Sequence, residues 1–480
     1  MRILVGLIEH LGDIAACEPV ARYLRLRHPD AQLDWAVATP YRDLIDSNPH
    51  VDRSLIVGCL GEWSALAASG AHDAVFDLHV EEKPCQPCGF VLTRAGGDPG
   101  INPRTYFHHG ALLEAFSQGA GLPRLSVPPR LYLGTAEVAA ADALGLPRHF
   151  CVLHRVSNLA AKDWDDARWS EIARVAREEL GLEVVEVGAG DAARLPPPLP
   201  ASISLVNRLP VLVTAEVIRR AAVFLGVDSG PAHLANAQGV PGVILLGQQP
   251  PFDGHLPYTG FYASGGPGIR LVRNATGPVR DIPAAPVAAA LRAVAALCHL
   301  PRPSPAPMPC PAEFQARRPA SPEAEVIAAS VLFDAAWYAL HHPEALAEGL
   351  HPADHYLRHG ASAGHDPGPW FSSSWYVETY ADVARAGANP LLHYIRSGMG
   401  EGRQRRPAHP RREPMGQELL EQRRITAALQ GQLLALEEEL ERRRRGWARA
   451  LVERLCGTPA WPLAEPLRRL GRGLRRAPGG

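Results

Sequence analysis

Three short stretches of this 480-residue sequence place polar, chemically capable side chains directly after apolar runs. Leu11-Gly12-Asp13 follows the apolar run Arg2 to Leu7. A carboxylate at such a strand-to-helix turn can face a cleft and take a proton, and the glycine lets a ligand approach the backbone. The competing reading is an Asp that caps the helix. HRVSNLAAKDW (154–164) leaves a second apolar run with polar residues and then Lys162. A lysine in a strand-end loop can hold a phosphate as a point charge, or simply be solvated at the surface. The sequence has only two lysines, Lys83 and Lys162, among 49 basic residues, so a lysine inside a motif is a pointer. In FLGVDSGPAHLANAQGVPGVILLG (224–247) an apolar strand ends in Asp228-Ser229-Gly230, and Pro231 then opens a helix. Free N–H groups at that helix start, with the Ser229 hydroxyl, form an anion site suited to a diphosphate, and His233 falls on the same turn. An Asp/Ser cap on a buried helix with a satisfied histidine is the alternative.

The surrounding pattern predicts strands at Arg2 to Leu7, Leu33 to Ala38, Ser54 to Val57 and Ala74 to Leu78, with a helix from Asp13 to Arg27. A second series predicts strands at 151–154, 182–190, 221–226 and 241–247, with a helix from Ala167 to Glu179. Alternating strands and helices argue for parallel sheets. Two such halves meeting near residue 145 predict a pair of Rossmann-like domains, 1–145 and 146–300, with a cleft between them.

Composition sets the bounds. At 46% hydrophobic and 21% charged, the chain is too apolar for disorder and too long for one ordinary core. Its 49 basic against 50 acidic residues propose no nucleic-acid partner. The charge is uneven, however: from Glu401 onward 18 arginines face 10 acids, a net of +8. Eight scattered cysteines exclude a disulfide scaffold. Cys85 and Cys88 form a lone C-x-x-C, and a metal there would need distant ligands that the spacing does not identify. The apolar run at the start is short and reaches Glu9 and His10 at once, which is unlike a signal peptide, and no stretch is apolar enough to span a membrane. The body is therefore expected in the cytoplasm.

After residue 300 the character changes. A proline-rich linker (301–325) leads into a segment (326–407) with an internal repeat of period 38. Phe333, Trp337, Tyr338, Gly349, Pro352, His355, Tyr356, Gly360 and Gly364 recur as Phe371, Trp375, Tyr376, Gly387, Pro390, His393, Tyr394, Gly398 and Gly402. Each unit reads as two short helices, and aromatics at helical spacing favour a core role over sugar binding. From 413 to 456 apolar residues follow a heptad pattern, which predicts a coiled coil and a homodimer. The basic tail 457–480 is expected to contact anionic lipid, placing the chain peripherally at the inner face of the plasma membrane.

The stretches RILVGLIEHLGDIAACEPVARYLRLRHPDAQLDWAV, HRVSNLAAKDWDDARWSEIARVA and VDSGPAHLANAQGVPGVILLG together resemble the heptosyltransferases of glycosyltransferase family nine, over about residues 1–300. The resemblance implies a GT-B fold with the acceptor on the first domain and the donor on the second. It implies inverting, metal-independent transfer from a nucleotide-diphosphate sugar, typically ADP-heptose, to a lipopolysaccharide or other glycan, with no separate cofactor. Asp13 then matches the general base, and Lys162 the lysine facing the donor phosphates. Asp228, Ser229, Gly230 and His233 match the donor segment, with Gly188 of VGAGD near the nucleoside. His10 and Gly12 fall on the acceptor-side loop. Asp165 stands where the family has the proline of K-x-W-P, and Arg155-Val156-Ser157 replaces a small-residue loop. Both departures touch the donor side. The 38-residue units resemble repeats appended to bacterial glycosyltransferases. A non-catalytic glycan- or nucleotide-binding scaffold is the alternative, and a nucleotide-sugar epimerase a weaker third.

Overall fold

In the computed structural model, β1 (Arg2–Gly6), β2 (Gln32–Val37), β3 (Arg53–Ile56) and β4 (Ala74–Asp77) form a parallel sheet in the order β3-β2-β1-β4. A second parallel sheet has the order β10-β9-β8-β5-β6-β7. Its strands are β5 (Phe150–His154), β6 (Glu183–Glu186), β7 (Ile203–Ser204), β8 (Val223–Val227), β9 (Gly242–Leu246) and β10 (Ile269–Arg273). The structure describes residues 1–94, 96–193, 195–248, 258–263, 268–297, 302, 308 and 310–407. The coiled coil and basic tail, and with them the expected homodimer and lipid contact, lie outside these residues. Among the described residues no helix is long and apolar enough to cross a membrane.

β5, β8 and β9 are buried along their whole length, as parallel strands covered by helices on both faces must be. All eight expected strands are present. β7 and β10 add to them, and the sequence hid both: one is two residues long, and the other lies at the sheet edge with only its first residue buried. The expected helix from Asp13 to Arg27 is two helices, Leu11–Ala16 and Pro19–Arg27. Pro19 has no N–H to donate to the preceding turn, so the first helix stops before it. Glu18, buried at this break, pairs with Arg22 at 2.9 Å and accepts from the Arg130 N–H (2.9 Å) and the Tyr132 hydroxyl (2.8 Å). One carboxylate thus ties the segment leading to the second sheet onto the first.

Each sheet reverses its strand order beside its first strand, between β1 and β4 and between β5 and β8. In open parallel sheets such reversals leave a crevice at the carboxyl ends of the strands.

Beyond the second sheet, elements of matching kind recur 38 residues apart. Helices Ala335–His341 and Ser373–Thr379 correspond, as do Pro352–His355 and Pro390–His393, each running on into a π-helical turn, Tyr356–Gly360 or Tyr394–Gly398. The first of the two expected helices is itself broken, at Pro343. The repeated residues have a shared geometry. Tyr338 Oη lies 2.9 Å from His355 Nδ1, and Tyr376 Oη 3.1 Å from His393 Nδ1. A Cβ on Gly360 would fall 2.0 Å from Tyr338 Oη, and one on Gly398 2.2 Å from Tyr376 Oη, so each tyrosine needs its glycine.

This segment docks on the first sheet's helices. Tyr23 Oη donates to Asp334 Oδ2 at 2.7 Å, Gln315 Nε2 donates to the Leu26 carbonyl at 2.6 Å, and Trp337 Nε1 donates to the Arg124 carbonyl at 2.7 Å. His341 stacks on Trp337 with ring centroids 3.8 Å apart, and its Nε2 accepts from the Ser126 N–H. Trp337 is 9% exposed. Trp337→Ala is therefore expected to cost about 3–5 kcal/mol of unfolding stability. Limited proteolysis should then cut residues 311–407 while the two sheets stay protected.

Candidate active site

The two sheets meet through the helices that follow β1 and β8, Leu11–Ala16 and Gly230–Ala237. The approach is close enough to exclude side chains. A Cβ on Gly12 would fall 2.6 Å from His233 Cδ2, and a Cβ on Gly230 would fall 2.6 Å from Leu11 Cδ2. Only glycine fits at either position. This contact sets Asp13, one residue past Gly12, beside the opposing helix start.

Asp13 is half-buried in the first turn of its helix. The N-cap position belongs to exposed His10, which makes no side-chain cap, so the Asp13 carboxylate is not a capping group. Its charge reaches Tyr41, Tyr106 and His233. Burial, then Asp13, then Asp228 push the Tyr106 hydroxyl above its ordinary range. Asp13 and Asp228, on different sheets, thus act on one ring. The loop before Asp13 is held from β4: Ile8 N–H donates to His79 Nε2 (3.0 Å), which leaves His79 Nδ1–H to donate to Asp77 Oδ1 (2.7 Å). Asp77 Oδ2 accepts from Trp63 Nε1 at 2.9 Å.

Across the β5/β8 reversal, Lys162 Nζ donates to the Asp228 carbonyl (3.1 Å) and to Asp228 Oδ2 (3.0 Å). Tyr258 Oη donates to Asp228 Oδ1. Burial alone would raise the Asp228 pKa, but the charge of Lys162, then that of His233, and the Tyr258 bond hold it well below the usual carboxylate range. His233 is pushed down by burial against the pull of Asp228 and Asp13. Its ring lies 4.7 Å from that of Tyr258. Ser229 is the N-cap residue of helix Gly230–Ala237 yet makes no side-chain cap. Among the described residues, buried Ser229 Oγ and His233 Nδ1 have no hydrogen-bond partner. Two such atoms beside a helix N-terminus are an unmet demand that an anionic ligand would satisfy.

Gly188, two residues beyond the end of β6, has a φ of 151° and lines a small cavity with Leu153, His154, Val156, Ala189 and Val206. His154 donates from Nδ1 to the Val187 carbonyl at 2.9 Å. Arg155 is taken up by Glu186 (2.7 Å), Asp166 (2.8 Å) and the Pro197 carbonyl (2.7 Å), which makes it a buried strut rather than a free cation. Asp165 caps helix Asp166–Glu178 by accepting from the Ala167 and Arg168 N–H groups. Both departures from the family pattern therefore have local structural roles.

The structure brings Asp13, Gly12, His233, Asp228, Ser229, Gly230 and Lys162 together. Gly188 lies at the neighbouring strand end, and His10 is on the rim. Tyr258, Tyr106, Tyr41 and His79 join them unforeseen. None belongs to a periodic pattern, although His79 in D-L-H follows an expected strand end just as Asp13 does. Cys59, 26 residues before Cys85, lies beside Cys85 and Cys88.

Residues 110–259 match the model of glycosyltransferase family 9 (heptosyltransferase). The chain is similar to the lipopolysaccharide core heptosyltransferase OpsX of Haemophilus influenzae, 21% identical over 277 residues covering 51% of this chain and 78% of that protein. It is also similar to lipopolysaccharide heptosyltransferase 3 of Escherichia coli, 23% identical over 287 residues covering 50% and 80%. Among solved structures, E. coli ADP-heptose lps heptosyltransferase II is similar at a TM-score of 0.46 and 19% identity, covering 62% of this chain and 99% of that one.

Burial pushes the His154 pKa down to about 4, against its bond to Val187. The unfolded chain, with a histidine pKa of about 6.5, takes up that proton first. Stability should therefore fall as pH drops from about 6.5 towards about 4, by on the order of 3 kcal/mol from this residue. Denaturant titrations across that range should show a shallower pH dependence in His154→Asn than in the unaltered chain.

Proposed function

Carrying a glycosyltransferase family 9 domain, the chain is a glycosyltransferase, and we propose that it moves a heptose or related sugar from a nucleotide diphosphate to a lipopolysaccharide or other cell-surface glycan. ADP-heptose is the favoured donor class. The observation that carries this reading is the convergence of Asp13 from one sheet with Lys162, Ser229 and His233 from the other, across the glycine contact. The names of the two lipopolysaccharide heptosyltransferases support the donor and acceptor classes.

In this reading the halves form a GT-B pair, with the acceptor over β1 and the donor over β5 and β8. Asp13 accepts the proton of the acceptor hydroxyl as that oxygen attacks the anomeric carbon. The bond from the anomeric carbon to the diphosphate oxygen breaks, and its electron pair leaves with the diphosphate. One base and one displacement invert the anomeric centre. Charge growing on the leaving group is met by Lys162, the N–H groups that open helix Gly230–Ala237, Ser229 Oγ and His233. An ammonium has three N–H donors, and Asp228 engages Lys162 through two contacts, leaving one donor for phosphate. These groups do at the phosphates what a divalent ion does in other transferases, so transfer is proposed to proceed without one. Asp228 orients Lys162 and the loop and does not touch the phosphates, because two anions repel. The nucleoside is proposed to pass near Gly188, beyond the end of β6. The 38-residue units serve as a structural appendage of the first domain.

Asp13→Asn should lower kcat about a hundred- to ten-thousand-fold while ADP still raises the melting temperature. Transfer that survives this change would remove Asp13 as base. Lys162→Ala should lower kcat roughly a hundred- to a thousand-fold, and Lys162→Arg should also be impaired, because a planar guanidinium cannot take the same bonds to Asp228. Full activity in Lys162→Arg would remove the specific role of the ammonium.

A further inference from the structure

The Cys85–Cys88 pair gains a third thiol that its spacing does not reveal. Sγ atoms of Cys59, Cys85 and Cys88 all lie within 4.8 Å of one another. Cys85 is buried, Cys59 half-buried and Cys88 exposed. Cys59 is the N-cap residue of helix Leu60–Ala67, and its C-x-x-C partners sit on a tight turn closed by Cys85 N–H to the Phe90 carbonyl (2.7 Å) and Gly89 N–H to the Cys85 carbonyl (2.9 Å). A Cβ on Gly61 would lie 3.2 Å from Cys88 Sγ and 3.7 Å from Cys59 Sγ, so both sulfurs sit over the first turn of that helix.

The cluster lies at the start of helix Leu60–Ala67, against Gly61 and beside the N-cap residue Cys59. Free N–H groups at a helix start favour thiolate over thiol. Sulfurs about 2.3 Å from a tetrahedral zinc lie roughly 3.8 Å apart, a spacing this cluster can reach with small side-chain adjustments.

We propose that Cys59, Cys85 and Cys88 bind one zinc ion as thiolates, with solvent in the fourth position on the exposed Cys88 side. The three thiols lose their protons on binding, and no redox step is involved. Zinc is favoured because thiolates select soft ions, and a d10 ion tolerates three sulfurs and a water without redox chemistry. The ion clamps segment 80–92 onto the helix at 60–67. Within that segment Lys83 Nζ holds Glu9 Oε1 at 2.9 Å, on the loop that leads to Asp13. The site is thus a staple that supports one wall of the cleft.

The test uses the full chain purified under reducing conditions without chelator. Elemental analysis should find about one zinc per chain. Replacement by cobalt(II) should give the intense visible bands of a tetrahedral site and a thiolate charge-transfer band in the near ultraviolet. Cys59→Ser and Cys88→Ser should each lose most of the metal while far-ultraviolet circular dichroism is retained, and Cys310→Ser should keep it. Removing zinc should speed proteolysis within residues 80–105. Absence of metal in the unaltered chain, iron in place of zinc, or full zinc content in Cys59→Ser would overturn the assignment.

Discussion

A contact between two glycines and two side chains governs this molecule: the helix after β1 and the helix after β8 meet where His233 packs on Gly12 and Leu11 packs on Gly230. The imidazole of His233 fills the volume a Cβ on Gly12 would need, and Leu11 fills that of Gly230. Interiors are close-packed, so an added methyl at either point has no room and would force the two sheets apart. The same contact buries His233, and burial is what favours its neutral form. Packing and electrostatics are coupled here. The steric fit that joins the sheets also buries the ring that feels the charges of both Asp13 and Asp228, and that burial lowers its pKa.

The charges around that contact are arranged unequally. Asp228 is engaged by a lysine and a tyrosine, whereas Asp13, at the opposite helix start, is not a helix cap and remains half-buried. A carboxylate already satisfied by a cation and a hydroxyl is a poor base, and serves better to fix the cation. Lys162 in turn spans the crevice between β5 and β8, so its position depends on both strand ends being in register. The network of Trp63, Asp77 and His79 does the corresponding work on the first sheet, holding the backbone just ahead of Asp13.

The repeated units show how one residue type takes different parts. Tyr338, Tyr356, Tyr376 and Phe371 are fully buried, so these aromatics form core, as their helical spacing implied. Trp337 and Trp375 occupy the same repeat position. Trp337 reaches the Arg124 carbonyl of the first domain's surface, whereas Trp375 is half-exposed. Nothing within the repeat distinguishes them. Among the described residues, it is the first unit whose tryptophan meets the body formed by residues 1–145.

The sequence by itself determined much of this protein. Apolar runs with turn residues between them marked eight strands, because burial on both faces of a parallel sheet demands such runs. Asp13, Lys162 and Asp228–His233 stood out in the sequence because each follows an expected strand end and because a lone lysine among arginines is conspicuous, and the structure brings them together. The 38-residue period was legible because each tyrosine needs its glycine and histidine. Tertiary structure alone decided the rest. Tyr258 reaches the cleft from a loop and Tyr106 from a single 3-10 turn, neither with a period to read. Arg155 and Asp165 look like altered donor contacts in the chain but act as a buried strut and a helix cap. Cys59 meets Cys85 and Cys88 only because the helix after β3 turns its N-terminus towards the loop after β4. Local sequence encodes the propensity of a segment and its buried face; which distant segments share a point in space follows from how the sheets and their connections close on one another.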